Sequence, residues 1–423
     1  MNMKDLENDW RQFDKLANEF AKGRLSRREF IKKVGLMGGA LTLIGNMGAV
    51  LASCSPAQST GGATSTPNSV ATAASAGIGS SSTKMWPLTN MTTSQLLDFY
   101  KQLPFTNILP LPDGPIGDKT IVIGFSQTGF NHPWRVEMIR AAQAEVARHP
   151  NVSLIITDGN VDINKQNSDV DDLLTLNVDA VVMSPVESAG LVPAGNKVMA
   201  AKKPLVLLDR DIPSDKTLFI GQSNITMAKA VAELMVKKLN GKGEILEITG
   251  LIGSSPAIDR QKGMKEALAA APDIKILATG DGKWIRDPAK ALMEDWLVRF
   301  PKIDAVFSHA EESSWGAVLA IGAAKRCQPK ILQYTHDGSN PGFKSVKSGM
   351  FEADGNYSPF IGDVGVRAAL IALLGQDIPN KQKYENAGWL LRLPDSPVVT
   401  AENVDQWLGK GWGNYEPPED PCA

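Results

Sequence analysis

From Thr120 onward the chain alternates between short apolar runs and longer amphipathic stretches, and that alternation restricts the folds open to it. The runs are Thr120–Phe125, Val152–Thr157, Ala180–Met183 and Leu205–Leu208, then Glu244–Ile248, Ile274–Thr279, Ala305–Ser308 and Lys330–Thr335. Mostly unbroken apolarity over so few residues suits a strand buried on both faces, and both faces are covered when helices flank a parallel sheet. Helix-period segments lie between the runs: Val136–Arg148, Met227–Leu239, Gly263–Ala270, Ala289–Phe300 and Trp315–Ala324. Strand, helix, strand, repeated, is doubly wound α/β architecture. Two groups of four strands part near Ser223–Asn224, so two such domains are expected, and a chain of 423 residues can bury two cores. Ligands of such sheets sit beyond the carboxyl ends of the strands, which directs attention to the residues standing there.

Charge excludes some partners. Lys and Arg number 44 against 46 Asp and Glu, a net charge of -2, so nothing electrostatic calls for nucleic acid. The four histidines, His132, His149, His309 and His336, are not at metal-ligand spacing, and no phosphate loop, Gly-x-Gly-x-x-Gly turn or Gly-x-Ser-x-Gly elbow follows a strand. No metal, cofactor or catalytic residue is therefore expected. Cys327 and Cys422 could pair but are read as free thiols.

The N-terminus reads as an address. Ser26-Arg27-Arg28-Glu29-Phe30-Ile31-Lys32 precedes an apolar, glycine-rich run from Val34 to Leu51 and resembles a twin-arginine export signal, although Arg24, Arg27, Arg28, Lys32 and Lys33 would serve any export route by charge alone. A membrane-spanning helix is the other reading of the run; its glycines and Asn46 argue against it. Leu51-Ala52-Ser53-Cys54 resembles the lipobox of bacterial lipoproteins, which implies lipidation of Cys54 and a membrane anchor, since two acyl chains hold a protein stably to a bilayer. Residues 1–53 are thus the expected export signal. Ser55 to Thr83 carries no charged residue and little beyond Ser, Thr, Ala, Gly and Pro, so residues 54–84 are expected to be a disordered tether. Residues 85–118 are an extension with a short helical pattern around Ser94–Leu103, expected on the outside of the core.

Several strand ends carry polar and aromatic groups suited to a hydroxylated ligand. After the first strand come Asn131, His132, Trp134 and Arg135 at a helix start. The indole offers a flat face to the C–H side of a sugar ring, and Asn131 and Arg135 can donate to its oxygens; a helix cap with Trp134 in the core is the competing reading. After the fourth strand stand Asp209 and Arg210, an acceptor and a forked donor that together match vicinal hydroxyls, or else a mere ion pair. Arg260 opens a later helix, Asp337 ends a strand, Trp284 would form a second aromatic wall, and Asn356 falls where the chain should cross between domains.

Taken together, Gly124-Phe125-Ser126-Gln127 with Trp134-Arg135, then Leu208-Asp209-Arg210, then Ala257-Ile258-Asp259-Arg260 with Lys262-Gly263, resemble the type I periplasmic sugar-binding proteins, the ribose-binding relatives and especially their galactofuranose-binding branch. The likeness runs from Lys119 to about Arg392. It implies two doubly wound parallel-sheet lobes joined by a hinge, with lobe 1 at 119–223 plus 357–390, lobe 2 at 224–356 plus 391–412, and a tail at 413–423. It further implies that His132, Trp134 and Arg135 flank a sugar, that Asp209 and Arg210 hold its hydroxyls, and that Arg260, Trp284, Asp337 and Asn356 supply second-lobe and hinge contacts. His309-Ala310-Glu311-Glu312 departs from the pattern, which commonly has Asn and Asp there, and His309 and Glu311 are the candidates to replace the missing arm. The implied function is that of a monomeric, lipid-anchored binding protein outside the cell membrane or in the periplasm. It would close on a monosaccharide or polyol and deliver it to the permease of an ABC importer. A sensory receptor and a carbohydrate-active enzyme using Glu311, Glu312 or Asp337 are the alternatives; a sugar-responsive repressor would need a DNA-reading module where the export signal stands.

Overall fold

The computed structural model describes residues 91–423 together with Thr42 and Leu43. The expected export signal, Cys54 and the tether therefore lie outside the described residues, apart from Thr42–Leu43, a two-residue strand beside Val152–Asp158.

Ten helices and thirteen further strands make up the described chain. In the first half, α1 (Thr93–Tyr100), β1 (Ile121–Gln127), α2 (Pro133–Val146), β2 (Val152–Asp158), α3 (Ile163–Thr175), β3 (Ala180–Met183), α4 (Val192–Ala200), β4 (Leu205–Leu208) and β5 (Leu218–Gly221) follow in order. The second half begins with α5 (Asn224–Lys238), β6 (Lys242–Thr249), α6 (Ser255–Leu268), β7 (Asp273–Asp281), α7 (Arg286–Arg299), β8 (Ala305–Ser308), α8 (Glu311–Ala323), β9 (Leu332–His336), α9 (Asn340–Lys347) and β10 (Ala353–Gly355). The chain then returns through α10 (Gly362–Leu373), β11 (Gln382–Tyr384) and β12 (Gly388–Arg392), and ends in β13 (Val398–Thr400) and a tail.

Two sheets result. One runs β2-β1-β3-β4-β5-β12-β11 beyond the Thr42–Leu43 strand, parallel except for the edge strand β11; the other runs β13-β10-β9-β8-β6-β7, parallel except for the edge strand β13. The sequence had shown the eight strands whose apolar runs are longest. It had not shown β5 and β10 to β13, which are short; β12 also has a partner distant in sequence, pairing with β5 through Leu390–Phe219 and Leu391–Ile220, which carries this sheet to Arg392, past the boundary expected at 390. Both sheets are covered by helices, and β3, β4 and β8 are buried along their whole length.

In the second lobe the helices pack by backbone approach. A Cβ on Gly263 of α6 would run into the Ile225 carbonyl and stand 2.9 Å from the Lys229 nitrogen of α5, and one on Gly316 of α8 would stand 2.9 Å from the Lys290 nitrogen of α7. Outside the first sheet, α1 lays Leu96 and Phe99 against α2 and Phe360, as its short helical pattern predicts. Among the described residues no helix is long and apolar enough to cross a membrane.

Cys327 and Cys422 are joined in a disulfide, which corrects the reading of both as free thiols. A sequence separation of 95 gave no reason to pair them; the tail folds back along the second lobe and brings the two Cα atoms to 5.4 Å. Gly263→Ala should lower the free energy of unfolding by about 1–3 kcal/mol, the usual penalty of overpacking. A urea midpoint unchanged from wild type would show that α5 and α6 are not in backbone contact.

Candidate functional site

The chain passes between the two lobes three times, after β5, after β10 and after β12. Gln222, in the first passage, ties the other two: its side-chain amide donates to the Pro394 carbonyl (2.8 Å) and accepts from the Ser358 amide (3.0 Å). On the far side the lobes touch, with the Ser188 amide donating to the Gly253 carbonyl (3.1 Å) and the Asp211 amide to the Ser255 hydroxyl (3.1 Å). Between these contacts lies a space of about 340 Å³, part of it open to solvent, where the carboxyl ends of both sheets face each other.

From the first lobe the wall takes His132, Trp134, Arg135, Asp209 and Arg210. His132 caps α2, its Nδ1 accepting from the Trp134 amide (3.1 Å). That cap fixes Trp134, whose indole stacks on Tyr357 (centroids 5.7 Å, 17° between planes) and donates to the Tyr357 carbonyl (3.0 Å). The capping and the cleft-wall readings of this segment are thus both satisfied. Arg135 donates through Nη1 to Gln127 (3.2 Å) and Ser184 (3.0 Å), and its Nη2 lies 3.6 Å from Asp209. Arg210 donates to the Pro185 carbonyl (3.1 Å) and that of Val186.

From the second lobe come Pro256, Arg260, Trp284 and Asp337, with Tyr357 from the second passage. Arg260 is the organiser: Nε donates to Asn224 (2.8 Å), and Nη1 to the His309 carbonyl and Asp337 (3.2 Å). Its guanidinium also lies 5.2 Å from the Trp284 ring centroid and 5.1 Å from that of Tyr357. Trp284 meets Arg210 of the first lobe on the same terms, at 5.9 Å.

Two features mark this wall as more than a packed interface. Asp209 (φ 66°), Trp284 (φ 71°) and Asp337 (φ 141°) all hold positive-φ backbone, which costs non-glycine residues of order 1–3 kcal/mol each and gathers at ligand sites. In addition, His132 Nε2, Arg210 Nε and Trp284 Nε1 are buried without a hydrogen-bond partner. Buried polar atoms are rarely left so, and a bound group presenting oxygens would satisfy all three.

Electrostatics follow from burial. Desolvation, with Arg135, Arg260 and Arg210 nearby, pulls the His132 pKa down to about 3, so the imidazole is neutral. Desolvation pushes Asp337 up to about 8 against the pull of Arg260, so it holds a proton at neutral pH. The wall thus offers three guanidiniums, one neutral carboxyl and one neutral imidazole around Asp209, a set rich in donors with few acceptors.

Four expected site residues stand elsewhere. Asn131 is exposed at the lip and absent from the wall. The His309 side chain turns into the core, where Nε2 meets Glu247 (3.2 Å), and only its backbone carbonyl serves the site, through Arg260. Glu311 lies behind the Asp337 loop, taking the Ser339 amide (2.7 Å) and hydroxyl. Burial and neighbouring Asp354 raise its pKa, so the pair shares a proton that sits on Glu311. Asn356 packs against Gly338. Neither His309 nor Glu311 therefore replaces the missing arm. Sequence reasoning missed Pro256 and Tyr357. The signal for Tyr357 was its place beside Asn356 in an interlobe passage, an aromatic residue next to an expected cleft residue.

Fold and site define a bilobal α/β binding protein with its ligand space between the lobes. The chain belongs to the periplasmic binding protein domain family, whose sequence model matches residues 123–377. It is 32% identical over 248 residues to the galactofuranose-binding protein of Escherichia coli K12, covering 56% of this chain and 78% of that one. It is 29% identical over 262 residues to the xylitol-binding protein of Mycolicibacterium smegmatis, covering 61% and 72%. Among solved structures, the fructose-binding periplasmic domain of a hybrid two-component system superposes with a TM-score of 0.62 at 30% identity, over 68% of this chain and 93% of that one.

Glu311→Gln, which keeps a neutral donor and acceptor, should change unfolding free energy by less than about 1 kcal/mol, whereas Glu311→Ala should cost about 2–3 kcal/mol by orphaning the Ser339 amide and hydroxyl. Equal losses for the two variants in urea titrations would mean that Glu311 is ionised.

Proposed function

We propose that this protein is an exported binding protein that closes its lobes on a monosaccharide, furanose or pyranose, or on a related polyol, and delivers it to the permease of an ABC importer. The observation that carries the reading is the interlobe wall itself: buried donors without partners, two indoles and strained backbone, contributed by both lobes and a hinge passage. Hydrogen bonds to charged groups contribute about 1.5–3 kcal/mol each, and micromolar affinity needs about 8 kcal/mol, so four or five contacts suffice after ordering costs. In this mechanism Asp209 accepts from hydroxyls, the three guanidiniums and the neutral Asp337 donate, and Trp134 and Trp284 flank the ring. Ligand contacts from both walls shift the population toward the closed form. The names of the relatives support the ligand class, and all are named as binding proteins rather than enzymes. Lipidation at Cys54, export through the twin-arginine route and a monomeric state belong to the same proposal and rest on the sequence.

A second reading, a sensor that passes its closed state to a signalling membrane protein, is favoured by the likeness to the receptor domain of a two-component system. Identifying the membrane protein that co-purifies with the sugar-loaded form separates the two.

A thermal-shift screen of the mature protein against pentoses, hexoses and polyols should give a hit, since ligand at a hundredfold excess over its dissociation constant adds about 2.7 kcal/mol. Asp209→Ala and Arg260→Ala should each abolish the shift while the protein remains folded. Retained shifts in both variants would remove the site from these residues.

Closure should also depend on pH. Opening the cleft rehydrates Asp337 and returns it toward the ordinary value of about 4, so its contribution to closure is fully present below about pH 4 and is lost as pH rises through about 8. His132 acts oppositely, but only below about pH 6.5, where the open form would charge. Asp259, pushed to about 6 by burial and by Asp211 across the lobe contact, is largely ionised above neutrality. Between pH 7 and 9 the sugar-free closed-to-open ratio should therefore fall roughly tenfold, read by interlobe fluorescence transfer, and Asp337→Asn should flatten it. A ratio constant across that range in the wild type would contradict a protonated Asp337.

A further inference from the structure

We infer that residues 411–413 of the tail are a strap that positions Asp337, and that the Cys327–Cys422 disulfide anchors the strap. The inference rests on reading Asp337 as a ligand-facing residue.

Trp412 is buried, and its indole N–H donates to the Asp337 carbonyl (2.8 Å). Its own carbonyl accepts the Asn340 amide (2.8 Å), and Ser339 and Trp412 pair as a parallel bridge. The Asn340 side chain closes the contact, donating to the carbonyls of Gly411 (2.8 Å) and Gly413 (3.0 Å) and accepting the Gly411 amide (2.9 Å). The strap thus runs as a short extra strand along the loop that carries Asp337. Gly411 is where the two backbones come closest: a Cβ there would stand 2.6 Å from the Asn340 nitrogen and 2.7 Å from the Gly338 carbonyl oxygen.

Asp337 needs outside support. Its φ of 141° is not one that the residue adopts unaided, and Gly338 after it is left-handed as well. Behind the loop, Asp354 accepts the Gly338 amide (3.3 Å) and Glu311 the Ser339 amide (2.7 Å). In front lies the cleft. The Asp337 carbonyl takes two donors, the Trp412 indole of the strap and the Tyr357 amide of the interlobe passage (3.2 Å), and the strap's is the shorter bond.

A strap that lies outside both sheets and makes one isolated bridge frays unless something holds it. Beyond Trp412, Tyr415 packs against Trp315 and Trp412, Pro421 covers Gly322 of α8, and Cys422 is bonded to Cys327 at the foot of that helix. The disulfide thus stands far along the tail from the cleft, and reducing it would release the strap without touching a ligand contact.

The test is amide hydrogen exchange on the mature protein without sugar, so that its outcome does not depend on whether a sugar is found. The amides to follow are Gly338 and Ser339, whose acceptors are not on the tail; that of Asn340 is bonded to the strap and would respond trivially. Trp412→Phe removes the N–H and keeps most of the ring, and should speed exchange at Gly338 and Ser339 about fivefold, the ratio set by one net hydrogen bond of about 1 kcal/mol. The paired change Cys327→Ser with Cys422→Ser should do the same, as should reduction of the wild type. Unchanged rates at Gly338 and Ser339 while residues 414–423 exchange faster would overturn the inference. So would an equal rise across β6 and β8, which would make the tail a general stabiliser of its lobe.

Discussion

Burying a guanidinium is costly unless most of its donors find partners, and the site is built around that demand at Arg260. Its partners are Asn224 at the start of α5, the His309 carbonyl at the end of β8, and Asp337 at the end of β9, and its face covers Trp284 and Tyr357. One side chain therefore locks two strand ends, two helix starts, the loop after β7 and an interlobe passage into one arrangement. Arg135 plays the matching part in the first lobe with Gln127, Ser184 and Asp209. Such charges stabilise the fold only while all their partners stay in place, so they define one geometry more than they add to stability.

Closing the lobes over these groups alters their chemistry. With water removed, His132 is kept neutral by burial and by surrounding guanidiniums, and Asp337 holds a proton although Arg260 adjoins it. A polyol suits such a wall because every hydroxyl can donate and accept, matching both Asp209 and the crowd of donors. It also suits the two indoles, which offer apolar faces on either side of a ring.

The hinge has its own economy. Three passages linked through one glutamine can bend together while the sheets on either side stay intact, because Gln222 bonds to backbone in the passages and not to either sheet. Tyr357 couples this hinge to the cleft: its hydroxyl donates to Asp209 (3.1 Å), its carbonyl takes the Trp134 indole, and its ring lies under Arg260. Ligand contact and lobe angle are thereby read by the same residue.

By itself the sequence determined the doubly wound architecture and eight of the cleft-wall residues, from His132 to Asp337. Both are local properties: an apolar run long enough to be a buried strand ends somewhere, and the polar residues after it stand at the ligand end of a parallel sheet. The tertiary structure decided what local pattern does not encode. Whether His309, Glu311 or Asn356 faces the cleft or the core depends on a single step of backbone direction, and on whether Glu247, Ser339 or Gly338 lies ready on the other side. The pairing of Cys327 with Cys422, and of β12 with β5, joins segments distant in sequence, and only the folded chain brings them together.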